Sequence, residues 1–167
     1  MPAGSTYSTI ATTTLGSAAA DYTFSSISGA YTDLVLVISG SLTSNNQTYR
    51  IRFNGDTGSN YSYTSLGATT GGPNSVRGTN TTFIPLFIYN GAASTVVSAN
   101  IINIFNYSNT TTFKTSLIRA NYGSNGEVGA MAGLWRSTSA ISSITVFASA
   151  GNIAAGNTLS LYGIAAA

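Results

Sequence analysis

The chain has 167 residues and a mass of 17.1 kDa, the size of one domain. Only 6% of residues are charged and 43% are hydrophobic, and 24 Ser, 24 Thr and 15 Asn supply the polarity that charge usually does. With no Cys and no His, disulfides, thiolate chemistry and imidazole catalysis are excluded, and six basic against four acidic residues are too few for a phosphate-tracking surface.

The first residues, Met1-Pro2-Ala3-Gly4-Ser5-Thr6-Tyr7, lack the basic and apolar regions of a secretory signal. They carry no core pattern either, so residues 1 to about 8 are expected to form a short arm on a protein made in a cytoplasm. From there the pattern has period 2. Strands are expected near Tyr7–Leu15, Tyr22–Ile27 and Leu34–Ile38, the last apolar on both faces as a central strand is. Tyr49–Asn54 alternates apolar and polar residues, as a strand with one wet face requires. Further strands are expected near Tyr61–Leu66, Thr82–Tyr89, Thr95–Tyr107, Phe113–Arg119, Glu127–Trp135, Ile141–Ala148 and Thr158–Ile164.

Turn chemistry separates them. Asn54-Gly55-Asp56 and Asn90-Gly91 suit hairpin turns that need positive φ, while Gly71-Gly72-Pro73-Asn74 and Gly123-Ser124-Asn125-Gly126 mark longer loops. Pro85 cannot donate to a ladder and predicts an edge strand. About ten short strands with turns between them, and no linker, predict a single all-β domain over 1–167. The most economical architecture is a jelly-roll-like, two-sheet antiparallel β-sandwich.

Chemistry is sparse. The four carboxylates, Asp21, Asp33, Asp56 and Glu127, show no paired spacing of the kind a glycosidase needs. They read as structural acids. The loop Asn54 to Asn60 has oxygens enough for calcium but one charge only, so no metal and no cofactor are expected. Lys114, the only lysine, reads as an outward side chain on an alternating strand rather than the base of a serine nucleophile. No enzyme activity is expected. The aromatic and hydroxyl content points instead to contact surfaces. Tyr61 and Tyr63 share one face of a strand, Arg136 stands free to meet an acid or a neighbouring subunit, and Pro2 and Tyr7 lie in the arm. These five are the expected interface residues. Low surface charge removes the repulsion that keeps copies apart, which predicts self-association.

Several stretches together resemble a family. They are Tyr7 to Leu15, Phe24-Ser25-Ser26-Ile27 leading into Tyr31 to Val37, Ile51 to Ser62, Asn106 to Thr115, Gly133 to Thr138 and Leu159 to Ile164. Nearly the whole chain resembles small jelly-roll virion structural proteins of cyanophages and related aquatic bacteriophages. The resemblance implies a capsid decoration (cement) protein that binds the outside of the shell and stabilises it, with the major capsid protein and its own copies, as a homotrimer, as partners. Nucleic acid and membrane are not among them. The alternative within the same resemblance is a tail-fibre or receptor-binding tip module recognising host surface glycans.

Overall fold

The computed structural model describes residues 6–87, 96–122 and 126–165. Twelve strands run through them, and among the described residues there is no helix. They are β1 (Tyr7–Thr14), β2 (Asp21–Phe24), β3 (Asp33–Gly40), β4 (Tyr49–Phe53), β5 (Tyr61–Thr69) and β6 (Gly72–Thr81). After them come β7 (Ile84–Pro85), β8 (Ser98–Phe105), β9 (Lys114–Tyr122), β10 (Glu127–Trp135), β11 (Ile144–Ala148) and β12 (Thr158–Ile164).

Two antiparallel sheets result. The larger runs β1-β12-β3-β8-β9-β10-β5-β6 and the smaller β2-β11-β4-β7. The sets β1-β12-β3-β8 and β2-β11-β4-β7 carry the jelly-roll order: β1 to β4 alternate between the sheets, and β8, β11 and β12 alternate again on the way back. That is two Greek keys around one core. The pairs β5–β6 and β9–β10 are additions to this frame. Because β10 also pairs with β5, both additions extend the larger sheet beyond β8.

The alternation in sequence is the alternation in burial. β9 hides every second residue from Lys114 to Tyr122 and exposes those between. The core is Leu34, Leu36 and Ile38 of β3 with Ile102, Ile104 and Ile118, against Phe24, Ile51, Phe53, Ile144 and Val146 of the smaller sheet, all buried. Each such side chain contributes about 1.5–3 kcal/mol by leaving water. β3 holds the interior position expected of it, between β12 and β8. Pro85 lies in β7, at the edge of the smaller sheet.

Three local expectations need correction. The stretch Gly72–Thr81, taken for a loop and a gap, is the ten-residue strand β6, whereas in Thr82–Tyr89 the described strand is only Ile84–Pro85. Pro73 is tolerated because β6 is an edge strand with one side of its ladder open. Asn54 and Gly55 do adopt positive φ (52° and 65°), with the Asp56 amide donating to Phe53 O at 2.9 Å. That turn makes no hairpin, since β4 and β5 belong to different sheets. Lys114 points inward, 1% exposed, its Nζ donating to the carbonyls of Thr112 (2.7 Å) and Thr138 (3.2 Å). It pairs with Trp135 across the ladder and so takes the inward parity, with its apolar stem covered and its head on backbone oxygens. β1 starts at Tyr7 as expected, with Tyr7 and Ser8 paired with Ile164 and Gly163. Residues 1–5 of the expected arm, the Asn90-Gly91 turn and Gly123-Ser124-Asn125 lie outside the described residues.

Candidate interaction surfaces

The added strands create a broad outer face on the larger sheet. Register fixes which side chains stand together on it. One row crosses the sheet as Ser160, Val37, Ile101, Arg119, Ala130 and Leu66, and the next as Tyr162, Val35, Asn103, Leu117, Ala132 and Thr64. A third carries Ala99, Asn121, Val128 and Ala68. Eight strands at about 4.8 Å spacing make this face roughly 34 Å wide.

Its chemistry is neutral and apolar at the centre. Leu66, Leu117 and Val128 are 64%, 53% and 54% exposed, and alanines 68, 99, 130 and 132 lie open around them. Two shallow depressions, of about 720 and 470 Å³, share Leu66, Arg119 and Ala130 in their walls. Charge enters only as Arg119 within the patch and Arg77 at its margin, with no acid on these rows. Grouped exposed leucines of this kind mark contact surfaces more often than scattered ones do.

The five expected interface residues are spread over different environments. Tyr7 is 55% exposed at the β1 edge, its ring meeting Tyr162 edge-on at 6.5 Å. Tyr61 is fully covered: its ring stacks on Trp135 at 6.3 Å and lies beside Phe53, and its hydroxyl accepts from Phe53 N at 3.1 Å. Burial pushes that phenol up to about 12. A side chain with no exposed surface is core. Tyr63 has the same inward parity but sits half-buried at the sheet margin, its ring filling the space over Gly78 where a Cβ would stand. Arg136 meets no acid. Its guanidinium donates to Ser59 O (2.7 Å), Asn80 Oδ1 (2.8 Å) and Ser62 Oγ (3.3 Å), which ties the end of β10 to β5 and β6. Pro2 lies outside the described residues.

The carboxylates do not converge. Asp56 accepts from Trp135 Nε1, Asn60 Nδ2 and Gly58 N at 2.7, 2.9 and 2.8 Å, so its own loop and Trp135 occupy both oxygens. Desolvation works to raise its pKa, but those three donors prevail and hold it below the usual carboxylate value. Asp33 takes the Asn106 amide at 2.7 Å, where Asn106 has φ of 48°. Asp21 is exposed on β2, and Glu127 is buried at the start of β10 opposite Tyr122. Among the described residues no three Asp or Glu side chains group as a metal site would need.

Sequence patterns did not reveal the patch. Leu66, Leu117 and Val128 lie far apart in the chain and out of phase with the core residues of their strands. The one sequence signal is that β9 and β10 carry large apolar residues on both parities.

Comparison with known proteins gives the following. No family model and no curated protein matches the chain. Among solved structures it is similar to the galectin LEC-6 of Caenorhabditis elegans, with 8% identity, 93% of this chain and 96% of that one covered, and a TM-score of 0.37. It is also similar to the alginate lyase Aly36B (8% identity, 89% and 78% covered, TM-score 0.34). A third is the protein SO2946 of Shewanella oneidensis MR-1 (7% identity, 100% and 82% covered, TM-score 0.23).

Proposed function

We propose that this protein is a bacteriophage virion structural protein, a capsid decoration protein that binds the outside of the shell and stabilises it. The observation that carries the reading is the outer face of the larger sheet. It is broad and nearly uncharged, and it centres on exposed Leu66, Leu117 and Val128. Apolar and amide contacts are little affected by salt, which suits a particle released into variable water. The sequence resemblance supports the same company. The protein works by binding and not by catalysis, with the major capsid protein and its own copies, as a homotrimer, for partners. A clamp that binds the assembled lattice and not free subunits stabilises the shell by mass action.

The test is to prepare particles lacking the protein, compare their heat resistance with complete ones, and add back purified wild type or Leu66→Asp/Leu117→Asp. The expected result is early shell opening without the protein, rescue by wild type and none by the double variant. Equal heat resistance, with the added protein labelling only tails, would overturn the decoration reading in favour of a receptor-binding tip.

A further inference from the structure

A second site lies on the opposite side of the molecule, at the margin of the smaller sheet. Arg50 and Arg52 occupy outward positions on β4, each over an aromatic ring: Arg50 lies 4.0 Å from the Phe83 centroid and Arg52 4.4 Å from that of Phe147. The two rings meet edge to face at 6.2 Å. The two arginines differ in one respect. Arg52 Nε donates to Thr82 O at 2.9 Å, whereas Arg50 Nε is fully covered and has no hydrogen-bond partner. No acid pairs with the Arg50 guanidinium among the described residues. Half-buried, it lies in the wall of a cavity of about 370 Å³ with Gln47, Tyr63, Phe83, Phe87 and Ser149.

An arginine stacked on a ring, held near a second cation and given no anion is an incomplete arrangement. Burial first, and then the charge of Arg52, lower its pKa, which is the electrostatic trace of the same deficit. The rest of the wall is uncharged, with Phe83, Pro85 and Phe87 apolar and Gln47, Thr48, Tyr63 and Ser149 polar. Gln47 is held in place by Ser149 Oγ, which donates to its Oε1 at 2.7 Å, and by its own Nε2 on Asn45 O at 3.1 Å. Tyr63 keeps a hydroxyl that bonds to no described residue, while Gly78 leaves room for its ring. The cavity thus offers one planar cation for a carboxylate, with phenol and amide groups suited to hydroxyls on one part of its wall and the apolar Phe83, Pro85 and Phe87 on the rest. A phosphate dianion would call for a second free cation, and Arg52 is already committed to Thr82.

We propose that this cavity binds a carboxylate-bearing sugar, a hexuronate unit of an acidic polysaccharide, with Arg50 gripping the carboxylate and Tyr63 and Gln47 meeting ring hydroxyls. The inference does not depend on where in a virion the protein sits, and it is tested on the isolated chain.

The experiment is titration of the isotope-labelled protein with tri-galacturonate, with cellotriose as the neutral control and acetate as the bare carboxylate. Saturable shifts are expected at Arg50, Tyr63 and Phe83, with Kd on the order of 1 mM for one charged contact in an open site. Cellotriose and acetate should bind at least several-fold more weakly. Arg50→Gln should weaken tri-galacturonate binding about tenfold, the loss of one charge-assisted pair, with an otherwise unchanged amide spectrum showing that the fold is kept. Tyr63→Phe, which preserves the ring and the charge, should weaken it several-fold. No saturable shift, shifts confined to the larger sheet, equal binding to Arg50→Gln, or acetate binding as tightly as the trisaccharide would each overturn the assignment.

Discussion

The indole Nε1 of Trp135, at the end of β10, donates to the Asp56 carboxylate at 2.7 Å, across 79 positions of chain. The contact binds the turn that leaves the smaller sheet to the last residue of a strand in the larger one. With Tyr61 and Phe53 stacked around Trp135, it closes one end of the sandwich.

Asp56→Ala is expected to cost on the order of 1–3 kcal/mol, because it leaves a largely buried indole N–H unpaired. The same carboxylate gives stability a pH dependence of known sign. Its pKa is lower in the folded protein than in the unfolded chain. Its contribution is therefore fully present above the unfolded value of about 3.9 and is lost as pH falls through the folded value. Thermal melts from pH 7 down to pH 2 should show an acid decline in the wild type that is flattened in Asp56→Asn.

Asn100 is completely buried between Ile38 and Ala120, and neither its Oδ1 nor its Nδ2 has a hydrogen-bond partner. Asn100→Leu removes two unpaired polar atoms while keeping the number and branching of side-chain heavy atoms. It should raise the melting temperature, with a gain of about 1–3 kcal/mol. A lower melting temperature would show that the amide has a partner, such as an internal water.

The outer face of the larger sheet and the core should respond in opposite ways. Leu117→Asp, at a site 53% exposed, should leave stability within about 0.5 kcal/mol and, on the decoration reading proposed above, abolish attachment to particles. Leu36→Ala, fully buried, should cost about 2–5 kcal/mol. Denaturant melts read the first quantity, and co-sedimentation with particles the second.

Self-association is testable by light scattering. Few charges oppose contact and apolar side chains stand open, which favours association, and the decoration reading proposed above expects a homotrimer of 17.1 kDa chains. A mass of one subunit at every concentration would refute it.

Much of the fold was legible in the sequence because a strand's side chains alternate with period 2 and need only local order to show it. Glu127–Trp135 and Thr158–Ile164 are strands with the expected limits, Asn54-Gly55 has the expected positive φ, and Pro85 lies at an edge. β6 was hidden because Gly72 and Pro73 are loop residues by local preference. Only its place at the sheet edge, beside β5, makes them acceptable in a strand.

The sequence by itself determined an all-β sandwich without cysteine or histidine chemistry, since composition and period are properties of the chain alone. Register was decided only by the tertiary structure. Strand pairing brings Leu66, Ala130 and Arg119 side by side, puts Lys114 inside, and sets Arg50 over Phe83 without an anion. The physical reason is that a one-residue slip in pairing would turn each strand's side chains to the opposite face. Which residues become surface, core or site is therefore fixed by packing between strands distant in the chain, and no local pattern records it.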